Sequence, residues 1–332
     1  MAVKIVRQPK KIALIGAPSS AAAFEPGLEK APAALRAAGL IEKLQSAGYE
    51  VVDYGNCAPR LFAQDDEHPR ARNAAEVVAG LNELRLHVEQ AVKSGALLLV
   101  LGGECVQAMG VVAGARRYYK HVNLLWLDRD ADLNTPATTP SGRLDGMVVA
   151  HFTGRGAAEL VRFWGEPPLV REPDITLFGL ERIDPPEQEF LNKSPIRRVL
   201  AEDVHRAGAE KAAKDTLEHL HAAAREFVLH FDTDVIAQED FGAVPVPGPG
   251  GLRLHEVREA LRVFAASKNL LAIDVVEFNP EKDPDGSKAK LLVDLIGEVL
   301  AARLEALTVP APAAEPVAQT PETSSTSTGT TA

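Results

Sequence analysis

Ala96–Cys105 reads ALLLVLGGEC, and Val122–Asp132 reads VNLLWLDRDAD. Each stretch opens on a largely apolar run that leads into glycine or acid. A strand without polar alternation is buried on both faces, as strands are in a parallel sheet covered by helices. The pattern repeats outward in both directions. Toward the N-terminus, Lys11–Gly16 is a short apolar run ending in glycine, and Glu50–Tyr54 is a second strand candidate. Toward the C-terminus, Ile175–Phe178, Glu226–Phe231 and Leu270–Val276 read the same way. Between the strands, Pro32–Ala47 carries Leu35, Leu40, Ile41 and Leu44 at helical spacing, and Asn73–Ser94 carries Val77, Val78, Leu81, Leu84 and Val92. The expectation is an α/β protein with a single three-layer α/β/α domain around a mostly parallel central sheet.

Composition bounds the function. The chain has 332 residues and a net charge of −10, with 46 acids against 36 bases. With no basic run to contact phosphates, nucleic acid is excluded as a partner. Two cysteines, Cys57 and Cys105, make no disulfide framework. The apolar run near the N-terminus is too short for a signal segment or a membrane span. These features predict a soluble, cytoplasmic protein that works without a membrane. Residues 1–10 read as an N-terminal extension and 11–308 as the domain. Residues 309–332, rich in Pro, Thr, Ser and Ala, read as a disordered low-complexity tail.

The chemistry collects after the strands. Glu104 and Cys105 follow one strand, Asp128, Asp130 and Asp132 the next, Asp232 and Asp234 another, and Glu277 the last. Ligands of open parallel sheets bind beyond the carboxyl ends of the strands. Acids crowded there repel one another unless cations or protons intervene, and oxygen-rich clusters suit Mn²⁺, Mg²⁺ or Ca²⁺. A solvated strand end explains one Asp-x-Asp; it is a poorer account of two behind two buried strands.

LGGEC, LDRDAD and HFDTD resemble, in order and at similar spacings, the Gly-Gly-Asp-His, Asp-Ala-His-x-Asp and Ser-x-Asp-x-Asp motifs of the arginase–agmatinase (ureohydrolase) family. LNTPATTPSGRLDGM, VPVPGPGGL and VVEFNPEKDPDGSKAK resemble its flanking segments. The likeness covers about residues 11–306, and the Asn-Thr-Pro…Ser-Gly stretch points to the arginase branch. It implies an arginase-like fold, a homo-oligomer (trimer or hexamer), and two Mn²⁺ ions whose bridging hydroxide attacks a guanidinium carbon and releases urea.

Carried over by position, one ion would be held by Cys105, Asp128, Asp132 and Asp232, and the other by Asp128, Asp130, Asp232 and Asp234. Glu277 would face the substrate guanidinium. Asn134, Ser141 and Arg143 would contact an α-carboxylate, and Asp184 and Glu187 the α-amino side. Three family histidines are replaced: both imidazole ligands, by Cys105 and Asp130, and the proton-shuttling one, by Asp145. The added negative charge weakens water activation. Cys105 biases its subsite toward softer ions such as zinc or iron, with nickel also open, unless it is simply a small buried residue. Arg129 points away from the aspartates if the segment is extended, and neutralises them if the backbone turns. His151 or His230 could stand in for a lost imidazole. The expected function is a divergent arginase-like metal-dependent hydrolase of a guanidino or amidino C–N bond in an amino-acid-like substrate. The alternative is a catalytically degenerate relative that binds ligand or joins an active homologue in a hetero-oligomer.

Overall fold

The computed structural model describes residues 5–222 and 225–308, so the expected tail at 309–332 lies outside the described residues. Eight strands form one sheet: β1 (Lys11–Ala17), β2 (Glu50–Asn56), β3 (Leu97–Gly102), β4 (Asn123–Leu127), β5 (Ile175–Leu180), β6 (Arg197–Leu200), β7 (Phe227–Asp232) and β8 (Leu270–Val276). Their order is β2-β1-β3-β8-β7-β4-β5-β6, and every pairing is parallel.

Alternation sorts the strand residues into two cores. Leu14, Leu99, Leu125, Leu229 and Ile273 face one helical layer, and Ile15, Val100, Leu124, Val228 and Ala272 face the other. The three-layer expectation holds. Ala108–Ala115 is wholly buried, and it packs on Ala74–Val92 because Gly114 has no side chain: a Cβ there would lie 2.6 Å from Val88.

Two local expectations change. The helix expected over Pro32–Ala47 is two, Ala31–Ala37 and Leu40–Ser46, divided by Gly39 in the left-handed region at φ 90°. The edge strand β6 escaped the sequence reading because its RRVL carries two arginines and is only partly buried.

The strand order explains the site. β3, β8, β7, β4 and β5 are consecutive neighbours, so their carboxyl ends form one row. The acids expected to collect follow four of these five strands.

Candidate active site

Gly103 sets the first element. A Cβ there would run into the backbone oxygen of Ser19, so only glycine lets the chain after β3 pass under the β1 loop. The buried Glu104 carboxylate locks that passage, accepting from Ser19 Oγ at 2.5 Å and from Ala22 N at 2.8 Å. Cys105 is thereby delivered to the row of strand ends, with its Sγ donating to Asp232 Oδ2 at 3.0 Å.

The segment after β4 bends at Arg129 rather than running extended. Asp128 accepts from Trp126 Nε1 at 2.9 Å and from the Asp130 backbone at 2.7 Å. Asp132 has φ 49° and Glu277 φ 62°. Left-handed backbone is costly outside glycine, so the surrounding structure must hold these two residues in place. Asp232 caps its own turn by accepting from Asp234 N at 2.6 Å.

These groups line a cleft of about 240 Å³, a small-molecule size, together with Asn134, Ser141, Asp145, Asp184 and Glu187. Burial, followed by the charges of Asp234 and Asp130, pushes Asp128 well above the usual carboxylate range. Burial, then Asp234 and Asp128, does the same to Asp232. Burial raises Asp132 with help from Asp128, and Glu277 with help from Asp145. Asp130 rises only to about 7, because burial and Asp234 are opposed by Arg182. Burial also raises Asp145, opposed by its hydrogen bond with Glu277.

Arg182 is the residue the sequence reading missed. Its Nη2 donates to Asp130 Oδ2 and, at 2.6 Å, to Asp234 Oδ2. The signal was available: Arg182 lies just past the end of β5, where the strand-end rule applies. Arg129 is fully buried, donates to the carbonyls of Val246 and Gly248, and lies 3.5 Å from Asp234 Oδ2. The bend therefore turns it toward the acids, as the second of its two readings required.

Arg143 is a correction. Its guanidinium lies over the Phe62 ring at 4.6 Å and bonds Gln64 at 3.3 Å, outside the cleft lining, because the Ser141–Gly142 turn carries it away. Asp184 and Glu187 border the cleft but also build a capping box at Pro185–Leu191. Glu187 accepts from the Leu133, Asn134 and Asp184 amides, and Asp184 accepts from Asn134 Nδ2 at 2.8 Å. Both position the loop that carries Asn134.

His151 is excluded from the cleft. Its Nδ1 accepts from Ala157 N at 3.2 Å, and burial depresses the ring's pKa to about 3. His230 instead borders the acid row. A ring nitrogen lies within 4.8 Å of ligand atoms of Cys105, Asp128 and Asp232. Oxygen, sulfur and nitrogen donors around unneutralised charge suit a divalent ion. A second group, Asp128, Asp130 and Asp234, converges as closely but already holds Arg182. The donors therefore fit one cation well and a second one poorly.

The arginase family's sequence model matches residues 10–302. The arginase of Bacillus caldovelox is 30% identical over 299 residues, covering 89% of this chain and 99% of that protein. The crystal structure of Bacillus subtilis arginase superposes with a TM-score of 0.80 at 29% identity, covering 88% of this chain and 98% of that one. Entamoeba histolytica arginase, solved with L-ornithine, gives 0.80 at 27% identity, covering 87% and 98%.

Proposed function

The chain belongs to the arginase family of hydrolases, and from that premise we propose that it cleaves a guanidino or amidino C–N bond in a small amino-acid-like substrate at the strand-end cleft. The observation that carries the reading is the convergence of Cys105, Asp128 and Asp232, with a His230 ring nitrogen among their ligand atoms. Cys105, Asp128 and Asp232 would hold a divalent metal, with Asp132 beside them. Bound there, the metal would supply an activated water as nucleophile.

The chain's own residues would do the rest. Glu277, at the end of β8, orients the cationic carbon group against the metal side. Asp145 sits beside Glu277 with its pKa raised by burial, which favours the protonated form a general acid needs. In this reading Asp145 gives a proton to the departing nitrogen. Asn134 and Ser141 meet the polar end of the substrate, and the L-ornithine bound by the Entamoeba arginase fits that choice of substrate class. The Cys105 thiol favours zinc or iron over manganese. The cytoplasmic setting and the homo-oligomeric state belong to the same proposal. A degenerate binding partner is not favoured, since the curated relatives are arginases.

Urea, ammonia or amide release from a panel of guanidino and amidino compounds, with chelator-treated and metal-reloaded protein, tests it. At least one compound should turn over only after reloading, with arginine a poor substrate because three family histidines are absent. Absence of metal-dependent turnover across the panel contradicts the reading; robust arginine hydrolysis would keep it and show that the lost histidines are compensated.

A further inference from the structure

Two cation-sized places lie side by side at the strand ends, and only one lacks a positive charge. In the outer place, ligand atoms of Asp128, Asp130 and Asp234 lie within 4.8 Å of one another. Arg182 ties Asp130 to Asp234, and Arg129 stands behind at 3.5 Å. A guanidinium stays charged in any protein, so this place holds a permanent cation. The ion pairs of both arginines go to Asp130 and Asp234, not to Asp128 or Asp232.

The inner place is different. His230 stands where the family's third motif has serine, two residues before Asp232 on the same face of β7. Its ring stacks on Trp126 with centroids 3.5 Å apart and 11° between planes. Nδ1 bonds Asp274 Oδ2 at 2.6 Å, and both residues are fully buried. Nε2 has no hydrogen-bond partner. A buried nitrogen without a partner is costly. A carboxylate on one ring nitrogen fixes the tautomer so that the other presents a lone pair, as in carboxylate–histidine–metal arrangements.

We propose that this chain is a one-metal member of its family, in which His230 Nε2, Cys105 Sγ, Asp128 and Asp232 hold a single divalent ion while Arg182 occupies the place of the second. The imidazole lost where Cys105 stands is thereby restored from β7, two strands away across β8. Asp274 is a positioning residue that aims the ring. This inference rests on the metal-dependent hydrolase reading above.

Full-length protein stripped with chelator, loaded with Co²⁺ and dialysed decides it. Metal analysis should give one ion per chain, rising to two in Arg182→Met. X-ray absorption at the cobalt edge of the unsubstituted protein should show one sulfur and one imidazole ligand. Asp274→Asn should weaken binding ~10–100-fold. Two ions in the unsubstituted protein, one ion in Arg182→Met, or a cobalt shell without imidazole each overturn the inference while leaving the hydrolase reading intact. No retained ion in any variant overturns the metal-dependent reading beneath it.

Discussion

His151 and His230 show how neighbours decide what a buried histidine does. Both lie in the interior, yet one faces backbone amides and the other faces carboxylates. Burial holds His151 neutral, its pKa lowered to about 3 from 6.5. The unfolded chain takes up a proton below about pH 6.5, and the folded chain does not until about pH 3. The stability this histidine supports is therefore complete above pH 6.5 and is lost as the pH falls toward 3. Chelator-treated protein should lose about 2–3 kcal/mol more unfolding free energy between pH 7 and 4.5 than His151→Gln does, read from urea titrations. Equal losses would show that His151 is not held neutral. The sequence offered both histidines as stand-ins for a lost imidazole without saying which one meets the acids. Alternation brought His230 to the face of Asp232, but its ring direction depends on Asp274 and Trp126, which lie on other strands. Arg182 could be singled out by its place past β5, but its partners Asp130 and Asp234, each 52 residues away, could not be read from the sequence.

At the scale of elements, the strand ends were the most legible part of the molecule. Apolar runs identified six of the eight strands, with β2 a further candidate, and the residues after four of them located the acids. What the runs could not give was strand order, which makes β3, β8, β7, β4 and β5 neighbours and so places Cys105 beside Asp232. The turn after β3 is where backbone geometry controls chemistry. Gly103→Ala forces a Cβ against the Ser19 backbone, so it should cost about 1–3 kcal/mol and displace Cys105. Gly146→Ala, with nothing within 4 Å of the added carbon, should stay within ~0.5 kcal/mol of the parent. Denaturant midpoints check the pair, and equal effects would mean that the β3 turn relaxes freely.

At the scale of the whole molecule, the fold brings nine carboxyl groups, those of Asp128, Asp130, Asp132, Asp145, Asp184, Glu187, Asp232, Asp234 and Glu277, to one cleft. Arg182 at its lining and Arg129 behind it answer only part of that charge. A parallel sheet supplies the rigid row of strand ends on which such crowding can be maintained, and a divalent ion relieves it. The sequence announced this much through its spaced acids and its resemblance to the arginase family. It did not announce that part of the neutralising charge is built into the chain. The central claim, that the row of strand ends is a metal centre, is tested most directly by anomalous diffraction from crystals soaked in Co²⁺. The account predicts a cobalt peak bounded by Cys105, Asp128, His230 and Asp232, with none between Asp130 and Asp234. A map with no peak in the cleft, or with cobalt only at residues outside it, would contradict the account.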